Sequence, residues 1–299
     1  MDTKISVVIN TFNEAENIAR ALKSVEWADE VVVCDMSSSD KTAEIAKKMG
    51  AKVVLHKAQK YVELARNFNI SQASHNWVLI LDPDEEVPEG LVKRLKEVIA
   101  MEEISYVEIP RKNIIFGKWM KNAMWWPDYN IRLFKKGAVV WSEEIHRPPK
   151  TEGKSFQIEE IENLAIIHHH YESISQFILR MDRYTTAQAD DLTIKGYKFN
   201  WTDLVQKPLQ EFLSRYFASR GFEDGLHGLA LSFLQAFSFL IMYLKVWEKE
   251  KFESKDLPYK EVVIEGKKAG KEISYWFKYA NLSKNKFYSV LQRLKNKLS

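Results

Sequence analysis

Four short apolar runs alternate with helical patterns through the first hundred residues, and this alternation restricts the fold more than any other feature. Residues 5–9, 30–35, 52–56 and 77–81 read as buried strands. Between them, Ile18, Leu22 and Val25 recur at helical spacing, which predicts a helix opening near Asn13 or Glu14. Ser37, Ser38, Ser39 and Asp40 read as the cap of a second helix, carrying Ile45 and Met49 and stopped by Gly50. Residues 61–73 carry Leu64 and Phe68 one helical turn apart. Strands and helices joined by short loops predict an α/β fold, a mostly parallel sheet with helices on both faces. In such sheets ligands gather beyond the carboxyl ends of the strands. Polar residues concentrate at those ends here, at 11–14, 35–40 and 82–84.

The fourth strand runs into Asp82-Pro83-Asp84-Glu85-Glu86. Carboxylates crowded at the end of a core strand repel one another and lose water. A divalent cation is the common remedy, and hard oxygen ligands suit magnesium or manganese. Asp82 and Asp84 lie two apart, so in an extended segment both lean the same way. Glu85, Glu86 and Glu89 flank Pro88 and precede Leu91, Leu95 and Val98, and read as the acidic start of a helix.

Composition narrows the setting. A net charge of +3 is too small to argue for a nucleic-acid partner, and none is expected; the single cysteine, Cys34, excludes an internal disulfide framework. That usage fits a reducing, cytoplasmic compartment, and no long apolar signal region follows Asp2 and Lys4. Nine tryptophans suit sugar or membrane contact as well as a plain core.

Four motifs, in order, then resemble one family. They are Asn10-Thr11-Phe12-Asn13-Glu14, Cys34-Asp35 with Ser37 to Thr42, Ala65-Arg66-Asn67, and Leu81-Asp82-Pro83-Asp84-Glu85. Together they resemble the family 2 glycosyltransferases. The resemblance implies a GT-A fold, an inverting mechanism and a nucleotide-sugar donor, with UDP as the default nucleotide and a divalent metal, Mg2+ or Mn2+. Thr11 stands where many members have proline, and Asp-Pro-Asp replaces the commoner Asp-Ala-Asp. A Gln-x-x-Arg-Trp element with its preceding acidic residues is absent, which leaves the catalytic base open. Arg132-Leu133-Phe134, His146 beside acidic residues, and His168-His169-His170-Tyr171 resemble the branch containing lipopolysaccharide core glucosyltransferases. Arg180, Arg183-Tyr184 and the stretch 220–225 resemble it too.

The resemblance implies donor contacts at Thr11, Phe12, Asn13, Glu14 and Asp35, with Ser37 either among them or capping a helix. Arg66 either pairs with the diphosphate or is an exposed helix arginine. Asp84 is expected as the direct metal ligand, with Asp82 acting through water or holding the ribose. His168 or His170, after a strand at 161–167, is expected to add a ligand. Glu144 leads the candidates for the base, ahead of Glu143, with His146 as alternative or partner. Asp128 and Arg132 either line the acceptor cleft or form a structural ion pair.

A boundary near residue 172 is expected, with residues 1–172 as the catalytic domain and 173–299 as a mostly helical extension. Residues 226–247 are its most apolar stretch, with an uncharged run at 229–244 shorter than the roughly 18 residues of a spanning helix. A buried helix, a dimer surface and an interfacial helix all fit. Phe287, Val290, Leu291 and Leu294 oppose Arg293, Lys295 and Lys297, which suits either an anionic bilayer surface or a solvated terminal helix. The expected activity is sugar transfer to a glycan or lipid-linked acceptor, in lipopolysaccharide or polysaccharide assembly. Two alternatives stand beside it. A nucleotidyltransferase is disfavoured by the lack of glycine in residues 11–14, and a non-catalytic binding module by the retention of both aspartates.

Overall fold

The computed structural model describes residues 3–57, 63–141, 148–254 and 256–282. The chain forms two compact units, Met1–Trp119 with Trp125–His170, and Met120–Met124 with Tyr171–Ser299.

The first unit begins with strands β1 (Ile5–Thr11), β2 (Glu30–Asp35), β3 (Lys52–Leu55) and β4 (Trp77–Leu81). They lie side by side in the order β3-β2-β1-β4, all parallel, as the alternation predicts. Side chains alternate across this sheet. Val7 and Ile9 face α1 (Ile18–Ser24), α2 (Thr42–Lys48) and α4 (Glu89–Ile99), whereas Val8 faces α3 (Glu63–Ser71). Both faces are covered, so all seven residues of β1 are buried.

The sheet then continues with antiparallel strands. After β5 (Glu85–Glu86) come β6 (Ile104–Ile115), β7 (Lys118–Trp119) and β8 (Asp128–Lys135). A small ribbon of β9 (Val139–Val140) and β10 (Lys150–Thr151) follows, then β11 (Lys154–Gln157) and β12 (Ile166–Tyr171). The main sheet extends as β4-β8-β6-β12-β5, with β8 antiparallel to both β4 and β6. Fully buried Phe134 of β8 lies with its ring 5.2 Å from that of Trp141. Phe134→Ala is expected to cost about 3–5 kcal/mol, read from urea unfolding, because the emptied site cannot collapse fully.

Several local expectations are corrected. The first helix opens at Ile18, not near Asn13, because Asn13 is left-handed at φ 54° and residues 15–17 form a turn. Residues 161–167 are not one strand. Glu162–Leu164 is a 3-10 turn, and the strand begins at Ile166, so the three histidines lie inside β12. Glu85 and Glu86 do not open a helix; they are a two-residue strand, and the helix waits for Glu89 after Pro88.

The second unit is helical, with α5 (Ile174–Ile194), α6 (Asp203–Leu213), α7 (Leu226–Lys249) and α8 (Tyr259–Leu282). α7 packs Leu231, Ala236, Met242 and Val246 inward and leaves Phe233 and Phe237 exposed. The whole helix, unlike its uncharged run, is long and apolar enough by length and composition to cross a membrane. The basic amphipathic stretch around Phe287 and Leu294 lies outside the described residues.

Candidate functional site

The acidic stretch after β4 is a tight turn, not an extended segment. The Glu85 amide donates to the Asp82 carbonyl (3.0 Å), and the Asp82 amide donates back to Glu85 Oε2 (2.9 Å). Pro83 has the preset φ that such a turn favours at its second position. The turn parts the carboxylates that an extended chain would align. Asp82 and Glu85 share one guanidinium. Arg132 Nη2 donates to Asp82 Oδ2 at 2.7 Å and to Glu85 Oε1 at 2.5 Å. The antiparallel pairing of β4 with β8, Leu79 opposite Leu133, brings Arg132 to this strand end. Glu85 is fully buried and Arg132 is 4% exposed. Arg111 of β6 reaches Glu85 at 3.4 Å and gives two hydrogen bonds to Asp128, at 2.6 and 2.9 Å. Asp128 and Arg132 thus take separate partners, not each other as the ion-pair reading had it. Arg66 of α3 lies 3.7 Å from Asp82, its guanidinium 5.6 Å from the centre of the Trp141 ring. It is a partly buried member of this cluster, not an exposed helix arginine. Arginines therefore answer much of the charge crowding for which the sequence suggested a cation.

Burial works to raise the Asp82 carboxyl, but the charges of Arg132 and Arg66 outweigh it and hold the group well below the usual carboxylate range. Burial, opposed by Arg132 and reinforced by the Asp82 charge, pushes Glu85 upward. A depressed carboxyl stabilises the fold above its unfolded value, about 3.9, and loses that contribution as pH falls through the folded value. The stability gap between wild type and Asp82→Asn is therefore expected to shrink below about pH 4, checked by urea titrations at descending pH.

Asp84 turns toward different partners. Its Oδ2 lies 3.7 Å from His168 Nε2, and both residues are buried. β12 pairs with β5, His168 opposite Glu85, and the His169 amide donates to the Asp84 carbonyl at 2.9 Å. His168 Nδ1 lies 2.7 Å from Asn113 Oδ1. The Asn113 amide nitrogen donates to the Trp125 carbonyl and Asp128, so its oxygen must face the histidine. This assigns a proton to Nδ1 and turns Nε2 toward Asp84, the orientation of a metal-ligating histidine whose other nitrogen donates to a partner. His170 Nδ1 lies 3.2 Å from that Nε2, and its ring is 5.5 Å from Trp125. Among the described residues no group of three or more His, Cys, Asp or Glu side chains is arranged to hold a metal. The Asp84 and His168 pair instead fits an ion that completes its shell with phosphate and water.

The first two strand ends are level, Thr11 opposite Asp35, and their loops are laced together. Ser38 donates to Asp35 Oδ1 (2.5 Å) and accepts from the Asn13 amide (2.9 Å). Asn13 Oδ1 accepts from the Ser39 amide, and Ser37 Oγ donates to the His56 carbonyl. These serines join loops; they do not cap a helix, and Asp40 instead accepts from the Thr42 amide. Thr11 and Asp35 are buried, Glu14 is half-buried, and Phe12 is 48% exposed. A cavity of about 480 Å³ opens beside Asp82, walled by Arg66, Arg111, Arg132, Tyr129, Trp141 and Pro149 among others. Glu143, Glu144 and His146 lie outside the described residues, between Trp141 and Pro149. Sequence reasoning missed Glu85, Arg111, Asn113 and Trp141. Of these Glu85 had a signal in the acidic run that holds it, though it was read as part of a helix start, and Trp141 in its place ahead of the acidic pair.

Residues 6–151 match the sequence model for glycosyl transferase family 2. An uncharacterized glycosyltransferase of Rickettsia typhi is 32% identical over 255 residues, covering 82% of this chain and 87% of the relative. The lipopolysaccharide core biosynthesis glycosyltransferase LpsC of Rhizobium meliloti is 22% identical, over 84% of this chain and 94% of its own. Glucosyl-3-phosphoglycerate synthase of Mycobacterium tuberculosis, solved with Mn2+ and UDP-glucose, is similar over 36% of this chain and 43% of that one, at 24% identity and a TM-score of 0.33. The chain belongs to glycosyl transferase family 2 and is a glycosyltransferase. The mostly parallel sheet with helices on both faces, and the helices that follow it, are as expected from the sequence.

Proposed function

We propose that this chain is an inverting enzyme that moves a sugar from a nucleotide diphosphate, UDP by default, to a glycan or lipid-linked acceptor. The observation that carries the reading is the approach of the Asp84 carboxylate to Nε2 of His168, one turn from an Asp82 held by two arginines. Asp84 and His168 would hold a divalent cation, manganese in preference to magnesium, because an imidazole nitrogen is a softer donor than oxygen. When bound, such an ion neutralises charge that grows on the leaving phosphate.

The chain's own groups supply the rest. The laced loops carrying Thr11, Phe12, Asn13, Glu14 and Asp35 hold the nucleoside, its ribose hydroxyls donating to carboxylate oxygens. Arg66 faces the diphosphate, and Asp82, fixed by Arg132, stays ionised beside it. The cavity walled by Tyr129, Trp141 and Arg111 receives the acceptor. The base comes from the segment bracketed by Trp141 and Pro149, with Glu144 first, then Glu143, and His146 as alternative or partner. Similarity to LpsC supports a role in lipopolysaccharide or related envelope synthesis. The exposed phenylalanines of α7 and the basic C-terminal stretch support attachment to the cytoplasmic face of a membrane.

Thermal shift with a panel of nucleotide sugars, each with and without Mn2+, tests this. A ligand that binds the folded state raises the melting temperature with its affinity and concentration. One UDP-sugar is expected to stabilise the protein only when Mn2+ is present. If no nucleotide sugar does so, and none is hydrolysed, the reading fails.

A further inference from the structure

A chain of polar contacts, none of them part of the site so far, runs behind Asp84 and His168. His169 points away from its two histidine neighbours, and its Nε2 lies 2.6 Å from Glu86 Oε1. Arg20 of α1 approaches the same oxygen at 3.5 Å. Arg20 Nη2 also donates to Asn17 Oδ1 at 2.8 Å, and Asn17 Nδ2 donates to Glu14 Oε2 at 2.9 Å. The path thus leads from the loop assigned to the nucleoside to the strand that carries His168.

The backbone explains why such a path matters. β5 is only two residues long and forms the end of the sheet, and two pairs join it to β12, Ile167 with Glu86 and His168 with Glu85. So short a ladder holds register weakly. Its register decides whether the His168 side chain comes within reach of Asp84. His169 pins it twice, through its amide on the Asp84 carbonyl and its ring on Glu86.

We propose that Glu86 and His169, backed by Arg20, are positioning residues that set the spacing of Asp84 from His168 and so the affinity of the site for its cation. This rests on the functional reading above. Their side chains are 25–33% exposed, so each keeps access to water when its partner is removed and no polar group is stranded in the interior. Their effect therefore belongs in metal dependence, not in the melting temperature. Outer partners of metal ligands typically change metal affinity by about 10–100-fold.

The test is calorimetry of UDP binding to the full chain across a Mn2+ series. Glu86→Ala is expected to raise the Mn2+ concentration for half-maximal UDP binding by about tenfold or more. UDP affinity at saturating Mn2+ and the melting temperature should stay near wild type. Glu86→Gln, which keeps an oxygen acceptor for His169, should recover most of the loss, and Arg20→Met should show a smaller shift in the same direction. An unchanged Mn2+ midpoint in Glu86→Ala overturns the positioning role, as does a loss of UDP affinity equal at every Mn2+ concentration. Should Glu86→Ala not fold, the Arg20→Met midpoint decides in the same way. Asp84→Ala separates the two claims. If it abolishes metal dependence while the Glu86 and Arg20 variants leave it intact, only the positioning role falls. If Asp84→Ala itself keeps metal dependence, the site reading falls and this inference with it.

Discussion

Asp84→Ala is expected to lower sugar transfer by about three orders of magnitude, since charge stabilisation by a metal is worth several kcal/mol and each 1.36 kcal/mol is a factor of ten. The loss should fall on kcat/KM and should not be recovered by excess Mn2+. His168→Ala should follow it closely, because the two face each other at 3.7 Å. Neither variant should unfold the protein, since neither joins the arginine cluster around Asp82 and Glu85. Steady-state kinetics over a Mn2+ series, with circular dichroism as the control for folding, checks this. Activity within tenfold of wild type in Asp84→Ala would remove that residue from the site.

Arg132→Met has the opposite profile, a large effect on the fold. Arg132 is 4% exposed, and its guanidinium serves Asp82 and fully buried Glu85 at once. Removing it strands the Glu85 charge in the interior, with only Arg111 at 3.4 Å as relief. Breaking a buried pair from one side costs about 3–5 kcal/mol. Urea unfolding should show that loss at neutral pH. Glu85 is already pushed toward its neutral form by burial, so protonation offers the variant an escape, and the gap should narrow in mild acid. Arg132→Met with Glu85→Gln should recover part of the stability, because the stranded charge is then gone. A double variant no more stable than the single one would contradict this account of the cluster.

What was legible in the sequence follows from what is local. The four parallel strands and their strand-end loops show themselves through period and turn residues a few positions apart. The antiparallel half was legible only in part: residues 105–110 and Arg132-Leu133-Phe134 read as strand and lie in β6 and β8, but β5 has two residues and residues 162–164 break what looked like one run into a turn and a strand. The crowding at 82–86 was visible, but its resolution was not. The partner of Asp82 and Glu85 stands 50 and 47 residues away on β8, and only strand pairing brings it back. The same holds for His168, expected from its place after a strand, whose ring is oriented by Asn113, 55 residues earlier. Two-residue alternation did separate His168 and His170 from His169, since β12 keeps extended geometry there. It misled at Asp82 and Asp84, where the turn replaces extension.

Asp84 and His168 are proposed as the seat of a cation that holds a nucleotide diphosphate. Isothermal titration of UDP into the wild-type protein and into Asp84→Ala, with Mn2+ and with chelator, tests it most directly. Mn2+ should strengthen UDP binding to wild type at least tenfold, and the variant should bind UDP weakly and equally in both conditions. Equal affinity of the wild type with and without Mn2+, or a metal-dependent gain that survives in Asp84→Ala, would contradict the claim.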